Sequence, residues 1–147
     1  MIILDTNVVS ELMKPIPDLG VAEWVRREQR QFYVTTITVA EVFYGLERLP
    51  AGRRRRHLEE TAEDLFEDFA EFILPFDFAA GRGYGRLVAT REARGRPIST
   101  EDAQIAAICL TAGMACATRN TGDFEGIGVE LINPWEEGSS SGKNTLR

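Results

Sequence analysis

Residues 2–4 read Ile2-Ile3-Leu4, an apolar run with no polar alternation, and the run stops abruptly at Asp5-Thr6-Asn7. A short run without alternation is the pattern of a strand buried on both faces, as in parallel sheets covered by helices. It also places a carboxylate at the carboxyl end of a central strand, where open α/β sheets bind ligands. The competing reading makes Asp5 the N-cap of the next helix, since Asp is a favoured cap.

The rest of the chain alternates between the two periods. Val8 to Lys14 predicts a short helix closed by Pro15 and Pro17, and Asp18 caps a second helix through about Arg30. Gln31 to Ile37, rich in β-branched and aromatic residues, predicts strand two. Thr38 opens a third helix, in which Val39, Val42, Phe43, Leu46 and Leu49 recur at helical spacing. A long helix follows from Arg53 to about Phe72, with Glu59, Glu60, Glu63 and Asp64 as a solvated face. Phe72 to Leu74 predicts strand three. Asp77 caps a helix to about Arg94, and Ser99 caps another that ends at Gly113. Met114 to Ala117 and Val129 to Ile132 predict strands four and five, joined by a polar loop over residues 118–128. A single domain over residues 1–135 is expected, closed by Pro134 and Trp135. Residues 136–147, dominated by Ser, Gly and charge, predict a disordered tail. A chain of 147 residues that is 44% hydrophobic can bury one sizeable core without staples.

Several function classes fall away. Seventeen Lys and Arg against 23 Asp and Glu give a formal charge of −6, which argues against binding nucleic acid through a general basic surface. It leaves open a nuclease whose clustered acids are neutralised by divalent metal. No apolar run is long enough to span a bilayer and no signal segment opens the chain, so a cytoplasmic protein without membrane partners is expected. Cys109 and Cys116 lack any metal-binding spacing and read as buried, inert thiols. The lone histidine, His57, follows Arg53-Arg54-Arg55-Arg56 with no nucleophile beside it and reads as a surface residue. Gly81, Gly83 and Gly85 suggest a dinucleotide fingerprint, but position 86 is Arg and the glycines follow no first strand. Close packing is the expected reason for them, because helical glycine costs stability. Arg82, Arg86, Arg91, Arg94 and Arg96 read as a solvated face, with a phosphate-guiding rim as the functional alternative.

Strands alternating with helices imply a parallel sheet with right-handed crossovers. In such a sheet Asp5, Glu41 and Asp123 follow strands one, two and four at the carboxyl edge. Asp102, in the first turn of the helix that leads down to strand four, starts at that same edge. Each acid also has a structural reading. Thr38-x-x-Glu41 and Ser99-x-x-Asp102 match capping boxes, and Asp123 in Thr-Gly-Asp-Phe suits a turn. Two features favour a site. Asp102 shares a helical stripe with Ile105, Ala106 and Cys109, so it faces inward, and the only lysines are Lys14 and Lys143. Carboxylates gathered without a cation repel one another, and a hard divalent ion such as Mg²⁺ or Mn²⁺ resolves the conflict.

Asp5-Thr6-Asn7, Thr38-x-Ala40-Glu41, Asp102-x-x-Ile105-Ala106-Ala107 and Thr118-Arg119-Asn120-x-x-Asp123-Phe124 resemble the four motifs of PIN-domain ribonucleases, and most of all the VapC-type toxins of bacterial toxin–antitoxin pairs. Leu131-Ile132-Asn133-Pro134-Trp135 is similar to the ending of those toxins. The resemblance implies a three-layer α/β/α domain with a five-stranded parallel sheet in order 3-2-1-4-5. It implies Mg²⁺- or Mn²⁺-dependent hydrolysis of RNA, a cognate antitoxin and a homodimer. Asp5 and Asp102 would be direct metal ligands. Glu41 and Asp123 would complete the site or orient water, and Thr6 and Asn120 would steady the ligands or contact phosphate. A Mg²⁺-binding receiver-like domain and a non-catalytic interaction module are the alternatives.

Overall fold

The computed structural model describes residues 1–137. In chain order they form β1 (Ile2–Leu4), α1 (Thr6–Leu12), α2 (Leu19–Arg27), β2 (Phe32–Thr35), α3 (Thr36–Glu47), α4 (Arg53–Asp68), β3 (Ile73–Leu74), α5 (Phe78–Ala93), α6 (Thr100–Ala112), β4 (Ala115–Ala117), β5 (Leu131–Ile132) and α7 (Pro134–Glu137). Short 3₁₀ turns occupy Ala70–Phe72 and Thr121–Phe124.

The five strands pair in parallel in the order β3-β2-β1-β4-β5, as the family resemblance implied. Receiver-like folds use the order 2-1-3-4-5, so that alternative is set aside. β1 is the central strand: Ile2 lies opposite Phe32 and Ala115, and Ile3 opposite Tyr33 and Cys116. Alternate side chains point to opposite faces of a strand. Ile2 and Leu4 therefore join Val8, Val9, Trp24, Val42 and Phe66 in one core, while Ile3 joins Leu87, Ile105, Cys109 and Phe124 in the other. One helical layer covers each face, giving three layers. Ile2, Ile3 and Leu4 are fully buried, and each contributes roughly 2 kcal/mol of apolar burial.

Small residues let the second layer lie close. A Cβ on Gly83 of α5 would stand 3.4 Å from Thr111 Cγ2 of α6 and 3.9 Å from Ala107 Cβ. Gly81 and Gly85 have nothing within 4 Å of such a Cβ, so the packing role expected of all three belongs to Gly83. Gly113, at φ 65°, closes α6 in the left-handed conformation that suits glycine. Cys109 and Cys116 are buried and unpaired by disulfide, and a hydrogen bond between the thiols together with burial holds Cys116 well above the ordinary thiol pKa.

Several boundaries differ from the sequence expectation. α2 stops at Arg27 because Glu28 turns to extended backbone and binds the Arg30 guanidinium. β2 ends at Thr35, whose hydroxyl accepts from the Thr38 amide at 3.2 Å and caps α3. The cap is Thr35, and Glu41 falls in the second turn, where it is no part of a capping box. The long helix stops at Asp68 before its 3₁₀ turn. Glu136 and Glu137, assigned to the tail, belong to α7; the remainder of that tail, residues 138–147, lies outside the described residues. Among the described residues no helix is long and apolar enough to cross a membrane.

The basic segment also divides. Arg86 and Arg94 are exposed, but Arg91 is only 8% exposed. Its guanidinium donates to Arg96 O at 2.8 Å and to Glu125 O at 2.9 Å, fastening the loop after β4 to α5. Periodicity cannot show this, because the two acceptors are backbone carbonyls of distant loops. Arg91→Leu should cost about 2–3 kcal/mol, the range for charge-assisted bonds whose buried acceptors are left unpaired, while Arg86→Leu should change stability by less than about 0.5 kcal/mol. Urea melts of both variants check this.

Candidate active site

β1 ends at Asp5, whose amide still belongs to the sheet and donates to Ala117 O at 2.9 Å. The side chain is thereby held at the carboxyl edge between β1 and β4. Chain direction reverses there, with β2 and β3 built outward on one side and β4 and β5 on the other, the place where open sheets bind ligands. Asp5 is also the N-cap of α1: its Oδ1 accepts from the Thr6 amide at 2.8 Å. Cap and edge acid are one carboxylate.

The other oxygen, Oδ2, accepts from the Thr118 hydroxyl at 2.8 Å and from the Asn7 carboxamide at 3.3 Å. Thr118 follows β4 directly, is fully buried, and also accepts from the Asn120 amide at 3.1 Å and from Asn7 Nδ2 at 3.3 Å. Its proton and both lone pairs are engaged, so the hydroxyl has a single orientation. Asn120 reaches this network through its backbone. Asn7 and Thr118, which were read only as parts of motifs, are the residues that fix Asp5. The signal was the pairing of a central strand with its neighbour, which brings the residue after each strand side by side.

Glu41 projects from α3 toward α1. Its Oε1 accepts from the Thr6 hydroxyl at 2.8 Å, and Thr6 Oγ1 lies 3.0 Å from Thr38 Oγ1. The Thr6 proton is committed to the carboxylate, so Thr38 donates to Thr6. Thr38 is fully buried, and it acts as a support for this link. Asp102 stands in the first turn of α6, where its own amide donates to Ser99 Oγ at 3.2 Å. Asp123 is exposed in the 3₁₀ turn that buried Phe124 anchors.

The electrostatics tie these groups together. Asp5 is only 3% exposed, and burial pushes its pKa from 3.8 to about 6. The bonds from Thr118 and Thr6 pull the other way, and the charges of Asp102 and Glu41 add to the rise. Partial burial raises Glu41 as well, opposed by Thr6 and reinforced by Asp102 and Glu101. Burial likewise raises Asp102, opposed by Ser99 and reinforced by Asp123 and Glu101. Asp5, Glu41 and Asp102 thus form a coupled group, and Asp123 joins it through Asp102. Glu101, an exposed neighbour of Asp102, is a fifth contributor to the field and was not anticipated.

Among the described residues none of the four acids forms an ion pair. Arg119 is adjacent in sequence to Thr118, but its guanidinium lies 4.9 Å from the centre of the Trp135 ring. Carboxylate oxygens without a paired cation are the donor set of a hard divalent ion, so the chemistry of the site fits Mg²⁺ or Mn²⁺. Among the described residues no three His, Cys, Asp or Glu side chains converge closely enough to hold an ion as they stand. The donor types fit, and closure of the site requires inward side-chain movement.

A family model described as "PIN domain" matches residues 2–129. This chain belongs to the PIN-domain family. Within it the chain is similar to VapC ribonuclease Y4jK of Sinorhizobium fredii, 42% identical over 92% of this chain and 99% of that protein. It is also similar to toxin FitB of Neisseria gonorrhoeae, 35% identical over 93% of this chain and 100% of that protein. The crystal structure of FitAcB from that organism superposes with a TM-score of 0.85 at 36% identity, covering 92% of this chain and 99% of that one.

The raised pKa of Asp5 has a consequence for stability. Its folded-state value exceeds the unfolded one, so the folded chain binds a proton more readily. The metal-free protein should therefore gain stability as pH falls through about 6, by roughly 1–1.5 kcal/mol between pH 7.5 and 5. Glu11 and Glu28, whose pKa values are lowered by Lys14 and Arg30, act in the opposite sense only at lower pH. Asp5→Asn should abolish the gain. Denaturant melts of both proteins in EDTA across this range check it; an unchanged slope in the variant contradicts the assignment.

Proposed function

We propose that this protein is a divalent-metal-dependent endoribonuclease that hydrolyses RNA phosphodiester bonds as the toxin of a toxin–antitoxin pair. The observation that carries this reading is the coupled group of Asp5, Glu41 and Asp102 at the β1–β4 edge, held up in pKa and unpaired by any cation among the described residues. The 42% identity to a VapC ribonuclease over nearly the whole chain supports RNA as the substrate class. Tertiary similarity to FitB from the FitAB complex supports a protein partner of the antitoxin kind. A homodimer follows from the same family likeness.

In this reading Asp5 and Asp102 hold the ion, and Glu41 and Asp123 complete the site. Once bound, Mg²⁺ or Mn²⁺ supplies charge stabilisation at the phosphoryl group and makes a water more acidic. The chain's own residues do the positioning. Thr118, Asn7 and the Thr6 amide fix both oxygens of Asp5, so no rotamer freedom is lost when substrate arrives. The Thr6 hydroxyl fixes one oxygen of Glu41 and leaves the other to accept a hydrogen bond from the attacking water. The raised pKa of Glu41 makes it a better proton acceptor than a free glutamate. An antitoxin side chain suited to this field is arginine, whose fork matches carboxylate geometry.

Purified protein should cleave RNA in Mg²⁺ or Mn²⁺ and not in EDTA. Asp5→Asn and Asp102→Asn should each lower the rate by about 100-fold or more, since an ion contributes several kcal/mol and each 1.36 kcal/mol is tenfold. Full activity in either folded variant would contradict the assignment, and inactivity of the wild type in both metals would favour a non-catalytic interaction module.

Metal should also raise the melting temperature of the wild type, because it binds the folded site preferentially. Asp102→Asn should melt at or above the wild type in EDTA and respond much less to Mn²⁺. Its amide keeps the bond to Ser99, so removing the charge relieves repulsion without uncapping α6. A variant that melts lower in EDTA with an undiminished metal response would mean that Asp102 is structural.

A further inference from the structure

A cavity of about 480 Å³ opens beside the acids, between the end of α1, the inner face of α3 and the start of α4. It falls within the size range of small-ligand sites. Glu41 forms part of its wall, so an occupant of the cavity adjoins the catalytic carboxylates. Val42, Leu46, Leu49 and Leu58 make the wall apolar, and Arg54 and His57 line it from α4. Arg55, the neighbour of Arg54, is bound to Glu47 and Glu59, whereas Arg54 has no ion pair among the described residues. One wall position is Gly45, in the middle of α3. Glycine there weakens the helix, and a Cβ would touch nothing within 4 Å, so no packing contact requires it. The open space itself accounts for the glycine.

We infer that this cavity is a nucleotide subsite of the ribonuclease reaction, taking the base of the single-stranded ribonucleotide next to the scissile phosphate against the leucines, with its backbone phosphate at Arg54 and His57. The inference rests on the proposed ribonuclease reading. Charge decides for RNA over an apolar protein segment. A polyanion that approaches four carboxylates on a chain of net charge −6 needs cations close by, and Arg54 and His57 share one cavity with Glu41. An aliphatic cleft with a cationic end matches the two halves of a nucleotide, an apolar base face and an anionic phosphate. Unstacked bases in single strands are the part of RNA that such clefts can take in.

The test uses the full-length protein with Mn²⁺ and a fluorescein-labelled single-stranded oligoribonucleotide that the wild type cleaves. Gly45→Leu fills the cavity from a position with room for the side chain, and Arg54→Ala with His57→Ala removes the cations from exposed positions. Each variant should raise KM about tenfold with kcat changed less than threefold. An abasic ribose next to the cleavage point should raise the wild-type KM by a similar factor and add little to that of Gly45→Leu, a non-additivity that a structural role would not produce. Wild-type cleavage with KM unchanged in both variants overturns the subsite alone and leaves the cavity to a protein segment. A wild type that cleaves no RNA removes the ribonuclease reading, and the subsite with it.

Discussion

The hydrogen bond from the Thr118 hydroxyl to Asp5 is the contact on which the site depends. It joins the ends of two adjacent strands and keeps a nearly buried carboxylate from being wholly desolvated. Without such bonds a carboxylate at this depth would stay neutral and be a poor ligand or base. With them its pKa comes to rest near 6, close to the working range of acid–base chemistry. Thr6 serves the group twice, donating its amide to Asp5 and its hydroxyl to Glu41. Two acids from separate helical connections are thereby set by one residue.

The distribution of charge follows from the same economy of contacts. Negative groups are concentrated at the β1–β4 edge, where Asp5, Glu41, Glu101, Asp102 and Asp123 influence one another. Most cations nearby are committed elsewhere: Arg119 to the Trp135 ring, Lys14 to Glu11, Arg55 to Glu47 and Glu59, Arg91 to two loop carbonyls. The field at the edge is left uncompensated by the protein itself. Such a field attracts small cations strongly and repels polyanions, so ion binding and substrate binding are coupled in sign.

Much of this was legible in the residues. An unalternating run ending in a carboxylate gave the central strand and its edge acid, and the inward stripe of Asp102, Ile105, Ala106 and Cys109 placed a second acid. What was not legible were choices between near-equivalent neighbours. Thr35 and Thr38 are both plausible caps, and only the point at which β2 stops decides that Thr35 takes the role and Thr38 is freed to support Thr6. Arg91 shares its composition with four neighbouring arginines, yet it alone of them turns inward to backbone carbonyls. Residue type predicts capacity for a contact, whereas the partner depends on loops that periodicity does not describe.

The pairing of β1 with β4 has a consequence in the order of synthesis. Leu4 lies opposite Ala117, and the bond to Asp5 comes from Thr118, more than a hundred positions later in the chain. Contacts of such sequence separation form late, after much loop-closure entropy has been lost. A nascent chain still short of residue 118 holds Asp5, Glu41 and Asp102 without the strand that brings the hydroxyl to Asp5. Assembly of the edge is thus deferred until β4 has left the ribosome and docked beside β1, so a growing chain carries no organised site while still bound to the RNA machine that makes it.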